Sequence, residues 1–241
     1  MLRALAHPVL FAGMLVGFLL AIAASAAAQV AVGRLVRDRG RVRLGSARLG
    51  PVRVGQHGAG SSRMLRRLTA TLDPFGAVAA LLAGPGWGAL REPARGGRGG
   101  RLVALLAGPL AAVLVGVTAG VAFIAAGGSR PVLGVAGPVG LLSGMLLPDD
   151  PVQRFLIGLA AEAVAVGVLG VVPLPPLTGW RVLMLFAGRS AGWQRARYYL
   201  EEHNVGIVAL LLLLIFPIGL GGPLLLELVD AAVTGVLGIL A

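Results

Sequence analysis

Apolar runs alternate with short arginine-bearing stretches, and run length predicts the elements. Residues 8–32 hold no charge over about the length that crosses a bilayer core of roughly 30 Å, and read as a first membrane helix. A cleaved secretory signal is the rival, because Arg3 precedes the run and Ala23 to Ala28 offer small residues for cleavage. Signal cores span about 7 to 15 residues, however, and the arginine cluster here follows the run. An uncleaved helix is therefore expected, its amino terminus outside and Arg34 onward cytoplasmic. Residues 68–90 are apolar but broken by Asp73-Pro74 and Gly84-Pro85-Gly86, with arginines on both flanks. A broken or re-entrant helix that dips in and returns satisfies the charge rule where a full crossing violates it. Residues 102–126 form a clean span whose small residues suit close helix contacts. Residues 131–147 are short and rich in Gly and Pro, a partial insertion, and 152–172 form the next span. Two last runs, 205–220 and 223–240, predict a helical hairpin turned at Gly221-Gly222.

Between these runs, 41–54 read RVRLGSARLGPVRV. Arginine alternating with Val or Leu around glycines fits a small surface hairpin, and an irregular basic loop equally. Residues 56–62 form a Gly/Ser-rich flexible link carrying His57. The most informative break is GVVPLPPLTGWR, 170–181, where Pro173, Pro175 and Pro176 end an apolar run. Proline lacks an N–H and clashes with the preceding turn, so the helix must stop there. Broken backbone at membrane depth is tolerated only beside protein or a hydrated cavity, so a cavity is expected.

Composition then fixes the class. Of 241 residues, 57% are hydrophobic and 13% charged, with mean hydropathy +0.89, which excludes an ordinary soluble domain. The formal charge of +11 comes from arginine without lysine. In a soluble protein it would suggest nucleic acid. Here ten of the 21 basic residues lie in a basic loop over 34–67 beside a span, where they act as topological and anionic-lipid anchors. No cysteine is present, so disulfides and thiolate metal ligands are excluded.

Candidate chemistry is sparse. His7, His57 and His203 stand at no metal-ligand spacing, and a loop or interfacial role is expected for each. Glu162 is different, since a mid-span carboxylate costs about 2.5 to 3.5 kcal/mol and is functional by default. It can line a cavity, pair with an arginine such as Arg181, or sit protonated between helices. Glu227 and Asp230, at i and i+3, suggest a second polar patch, and Asp73 before Pro74 suggests a helix cap. Asn204, Tyr198, Tyr199, Trp87, Trp180 and Trp193 flank apolar runs and read as interfacial anchors.

The 170–181 stretch resembles the N-x-x-P-x-x-P-L-D-G segment of the site-2 protease family of intramembrane zinc metalloproteases. Pro173, Pro176, Leu177 and Gly179 match, while Gly170 stands for the substrate-holding asparagine and Thr178 for the zinc-binding aspartate. LDPFGAVAALLAG from Leu72, the Gly86-Trp87-Gly88 turn and LLAGPLAAVLVG from Leu105 resemble further family segments in the same order, and the closing hairpin is similar to the compact bacterial branch. The first helix takes the place of the H-E-x-x-H helix, which puts Ser25, Ala26 and Gln29 at the histidine, base and second histidine positions. In the family, two histidines at i and i+4 bind zinc, which lowers the pKa of bound water to about 7. Serine, alanine and glutamine supply neither ligand nor base, and no histidine lies between Pro8 and Gln56.

The expected fold is thus all-α: one transmembrane domain over 1–241, a polytopic bundle of about four full spans plus broken or re-entrant segments, site-2 protease-like. The expected function is that of a non-catalytic pseudoprotease of the cell membrane without a zinc cofactor. Its former active-site cleft would be built from Ser25, Ala26, Gln29, Glu162, Gly170, Pro173, Pro176 and Thr178. Its partners would be membrane lipids and transmembrane segments of other membrane proteins, with no nucleic acid. Two alternatives stay open: an active intramembrane hydrolase using residues such as Glu162 or His203, and a small transporter or lipid-binding protein with Glu162 and Glu227 along its path.

Overall fold

A computed structural model describes residues 6–43, 72–89, 97–144, 147–188, 190–217 and 222–241; for 37–43 it describes the backbone alone. Helix α1, Pro8–Arg43, starts on a proline whose missing N–H is one no helical bond would use. It runs past the expected end at 32 and takes 41–43 into the helix, so the possible surface hairpin does not begin there. The rest of that stretch and the link with His57 lie outside the described residues.

Helix α2, Pro74–Ala83, is capped by Asp73, whose carboxylate accepts from the Gly76 amide at 3.0 Å, the capping role read from the sequence. It ends at Gly84, where φ is +104°, a conformation that favours glycine. Ten residues rise about 15 Å, half a bilayer core. Leu72 then pairs antiparallel with Gly88, so the chain returns beside the point where it entered α2. Apart from that bridge, the described residues form no extended pairing.

Helix α3 is Arg98–Ala125 with Pro109 inside it. The partial insertion that follows resolves into two short helices, α4 (Arg130–Leu133) and α5 (Pro138–Ser143). Helix α6, Pro151–Val171, is capped by Asp150, which accepts from the Val152 amide. After the proline turn come α7 (Thr178–Phe186), α8 (Ala191–Arg197) with a π-helical turn Tyr198–Glu202, α9 (Val205–Ile215) and α10 (Leu224–Gly238).

Among the described residues, three helices are long and apolar enough to cross a membrane: Pro8–Val36, Arg98–Ala125 and Pro151–Val171. A fourth is reached only if Ala191–Glu202 and Val205–Ile215, bent by 69°, count as one span. The chain has the make-up of a helical membrane protein. The closing hairpin differs from expectation, because α9 and α10 hold 11 and 15 residues against the about 20 a crossing needs. Pro217 forces Phe216 out of the helical region, to φ −92° and ψ 131°, and stops α9 early.

Helix α6 is the centre, with 67% of its apolar window buried against 39% for α1 and α3. Small residues let the three backbones touch, as lipid-embedded helices require for dispersion contact. Gly13 and Gly17 of α1 lie on the Phe155 and Leu159 backbone, so α1 and α6 run parallel. Gly116 of α3 meets Ala160 and Val164, and Gly167 of α6 meets Pro109 and Val113, so α3 runs antiparallel to both. Consequently Arg34 of α1 and Arg98 and Arg101 of α3 share one end of the bundle, where Gly100 packs on Val36.

Candidate site: a cavity under the proline turn

Val172 to Leu177 turn at the end of α6, and the Leu177 amide closes the turn on the Leu174 carbonyl at 2.8 Å. Helix α7 then starts against the end of α6. Gly179 sits on the Val171 carbonyl with no room for a side chain. The prolines prevent α6 from continuing, and the gap beside them becomes a cavity of about 60 Å³ that opens to the surroundings. Ile22, Ser25, Ala26 and Gln29 of α1 form one wall, Val166 and Gly170 of α6 another. Pro176, Leu177 and Thr178 close it from the turn, Pro109 from α3, and Trp87 to Ala89 from the returning limb after α2.

Six sequence-derived positions therefore meet at one place: Ser25, Ala26, Gln29, Gly170, Pro176 and Thr178. Two do not. Pro173 is exposed on the outside of the turn. Glu162 is fully buried, neither carboxyl oxygen has a partner among the described residues, and it does not line the cavity. It precedes Val166 by one turn on the same helical face, and helical side chains lean toward the amino terminus, here away from the cavity. It makes no pair with Arg181.

The polar groups in the cavity are neutral. The Ser25 hydroxyl donates to the Gly108 carbonyl at 2.9 Å, which fixes it against α3. The Gln29 carboxamide packs on Gly108, so a side chain at 108 would collide with it, and it makes no hydrogen bond among the described residues. Thr178 is 7% exposed and its hydroxyl is likewise unpartnered. Two hydroxyls and a carboxamide are a poor donor set for zinc, which takes imidazole, thiolate or carboxylate. Among the described residues no group of three or more acidic or histidine side chains is placed to hold a metal.

Several anchoring residues have other roles. Trp87 is 3% exposed and lines the cavity, not an interface; its neighbours Gly86 and Gly88 were the signal, since glycine marks close backbone approach. Trp180 is equally buried, and its indole N–H donates to Glu201 at 2.6 Å, while Glu201 also accepts from Arg197 at 3.0 Å. Trp193 is half-buried. Tyr198 and Tyr199 are exposed and cluster with His203, ring centroids 4.5 and 6.1 Å from it, beside Asn204 at φ 55°. Glu227 and Asp230 do not form one polar patch, because each is committed elsewhere. Glu227 accepts from the Gly222 amide, and Asp230 accepts from the Val139 amide at the start of α5 at 2.7 Å. His7 sits by Gly144 at the far end of the bundle from the cavity.

Comparison of the chain with protein-family models, with curated proteins and with solved structures gives no match.

Proposed function

We propose that this chain is a non-catalytic membrane protein on a site-2 protease-like scaffold, and that its cavity holds a transmembrane segment of another membrane protein. One observation carries the reading. Positions aligned with the family's zinc, base and substrate-holding residues, from Ser25 to Thr178, line a single cavity although more than a hundred residues separate them. With neutral side chains there, the cavity offers shape and hydrogen bonds without a nucleophile generator, which is binding chemistry. The arginine-rich end, with Arg34, Arg98 and Arg101, faces the cytoplasm in this reading, by the bias that keeps arginine on that side.

The test is site-specific photo-crosslinking in native cells. A photoreactive residue in place of Ala26, inside the cavity, should yield a discrete protein adduct that disappears when Gly170→Phe fills the space. The same residue in place of Leu110, 61% exposed on α3, should yield only lipid. Identical adducts from both positions, or lipid alone from position 26, would overturn segment binding.

A further inference from the structure

The cavity has a direction in its chemistry. None of its lining residues is charged; the unpaired side-chain groups are the Thr178 hydroxyl, the Gln29 carboxamide and the buried Trp87 indole N–H, while the carbonyl end of α6 at Gly170 borders the same space. Helix α7 opens onto it at Thr178 with no side-chain cap. The first amides of a helix lack intrahelical partners and carry partial positive charge. At the same point the Thr178 hydroxyl, on a residue more than nine-tenths buried, is unpartnered among the described residues, and Thr178 lines the space. From α1 the unpaired Gln29 carboxamide brings two further N–H donors.

The charges beyond the lining favour the same sign at the arginine end. Arg34 follows Gln29 by five residues on α1, and Arg101 precedes Gly108, on which Gln29 packs, by seven on α3. Arg101 Nε is buried and unpartnered among the described residues. Three acidic groups weigh against them: Glu162, one turn below Val166 with its side chain leaning away; Glu201, held by the Trp180 indole N–H and by Arg197; and Asp73, whose carboxylate caps α2.

We infer that the cavity is an oxyanion site: a carboxylate or phosphate group seats on the first amides of α7, bonded by the Thr178 hydroxyl and the Gln29 carboxamide. Helix amino termini are suited to such groups. The group comes either from an anionic lipid head or from a free anion, and the site does not depend on segment binding.

Trp87 in the lining and Trp180 in the first turn of α7 report occupancy through their emission. Purified full-length protein in neutral detergent is titrated with inorganic phosphate. In parallel it is placed in nanodiscs of phosphatidylcholine with and without phosphatidylglycerol. A saturable emission change is expected with phosphate, with phosphatidylglycerol, or with both. A response to phosphate assigns a free anion, and a response to phosphatidylglycerol alone assigns a lipid head. Thr178→Asp puts a carboxylate where the ligand sits and is favoured at a helix amino terminus. It should weaken the response by about tenfold or more, as loss of a hydrogen bond to a charged group implies. Thr178→Val keeps the side-chain shape and should weaken it several-fold. No response to either anion, an equal response to phosphatidylcholine alone, or wild-type midpoints in both variants would overturn the oxyanion site. Segment crosslinking at position 26 is read separately, so either result can fail without the other.

Discussion

Glu162 shows most directly what one side chain costs. Its carboxyl is at 0% exposure in the central helix, and neither oxygen is hydrogen-bonded among the described residues. An unsatisfied buried polar group costs about 1 to 3 kcal/mol, and an apolar replacement of similar volume removes that cost. Glu162→Met should therefore raise the resistance of the purified protein to denaturation in SDS by about 1 to 3 kcal/mol. An unchanged or lowered midpoint would mean that the carboxyl is satisfied within the bundle. A gain in stability together with loss of crosslinking at position 26 would place Glu162 among residues kept for function at the expense of stability. Thr178 and Gln29 differ from Glu162 in that their unpaired groups border open space, so a ligand or water can satisfy them.

Among the elements, the glycine contacts separate packed faces from lipid-facing ones. A methyl group on Gly17 would lie 2.7 Å from the Leu159 carbonyl oxygen, and the backbone of α6 cannot yield there. Gly235, on α10, has nothing within 4 Å of such a methyl group. Gly17→Leu is expected to cost about 1 to 3 kcal/mol by overpacking. Gly235→Leu should stay within about 0.5 kcal/mol. Equal losses in the two variants would show that α1 and α6 do not meet at this register. Helix α2 and its returning limb obey the same logic of close approach, since Gly76 lies on the Trp87 backbone and Gly86 on Gly76 and Ala80.

For the whole molecule, the antiparallel α1–α3 and parallel α1–α6 contacts put the two ends of α3 at opposite ends of the bundle, which predicts that they face opposite sides of a membrane. The natural absence of cysteine makes this readable without background. Gly97→Cys and Ser129→Cys should react with a membrane-impermeant maleimide from opposite faces of sealed vesicles, position 97 from the cytoplasmic face. Leu72→Cys and Ala89→Cys should resemble each other in labelling, because the Leu72 to Gly88 bridge holds them at one depth. Labelling of positions 97 and 129 from the same face would remove α3 from the crossing helices.

The sequence by itself determined where the three long helices lie and how apolar they are. Uncharged run length set α1, α3 and α6, Asp73 and Pro74 set the start of α2, and the proline triplet marked where a cavity was expected. These are local properties, decided by backbone hydrogen bonding in a solvent that offers none. The ends were less legible. Helix α1 continues through arginines to Arg43, and α9 stops at Ile215. The roles of Trp87, Trp180, Glu227 and Asp230 were misread because each depends on a contact made across the fold, such as Asp230 with the Val139 amide 91 residues away. Tertiary structure alone decided that Gln29, Trp87 and Thr178 share one space while Glu162, eight residues before Gly170, does not. Helix spacing gives the face a residue occupies, but only the packing of neighbouring helices determines whether that face meets a cavity or a closed wall of side chains.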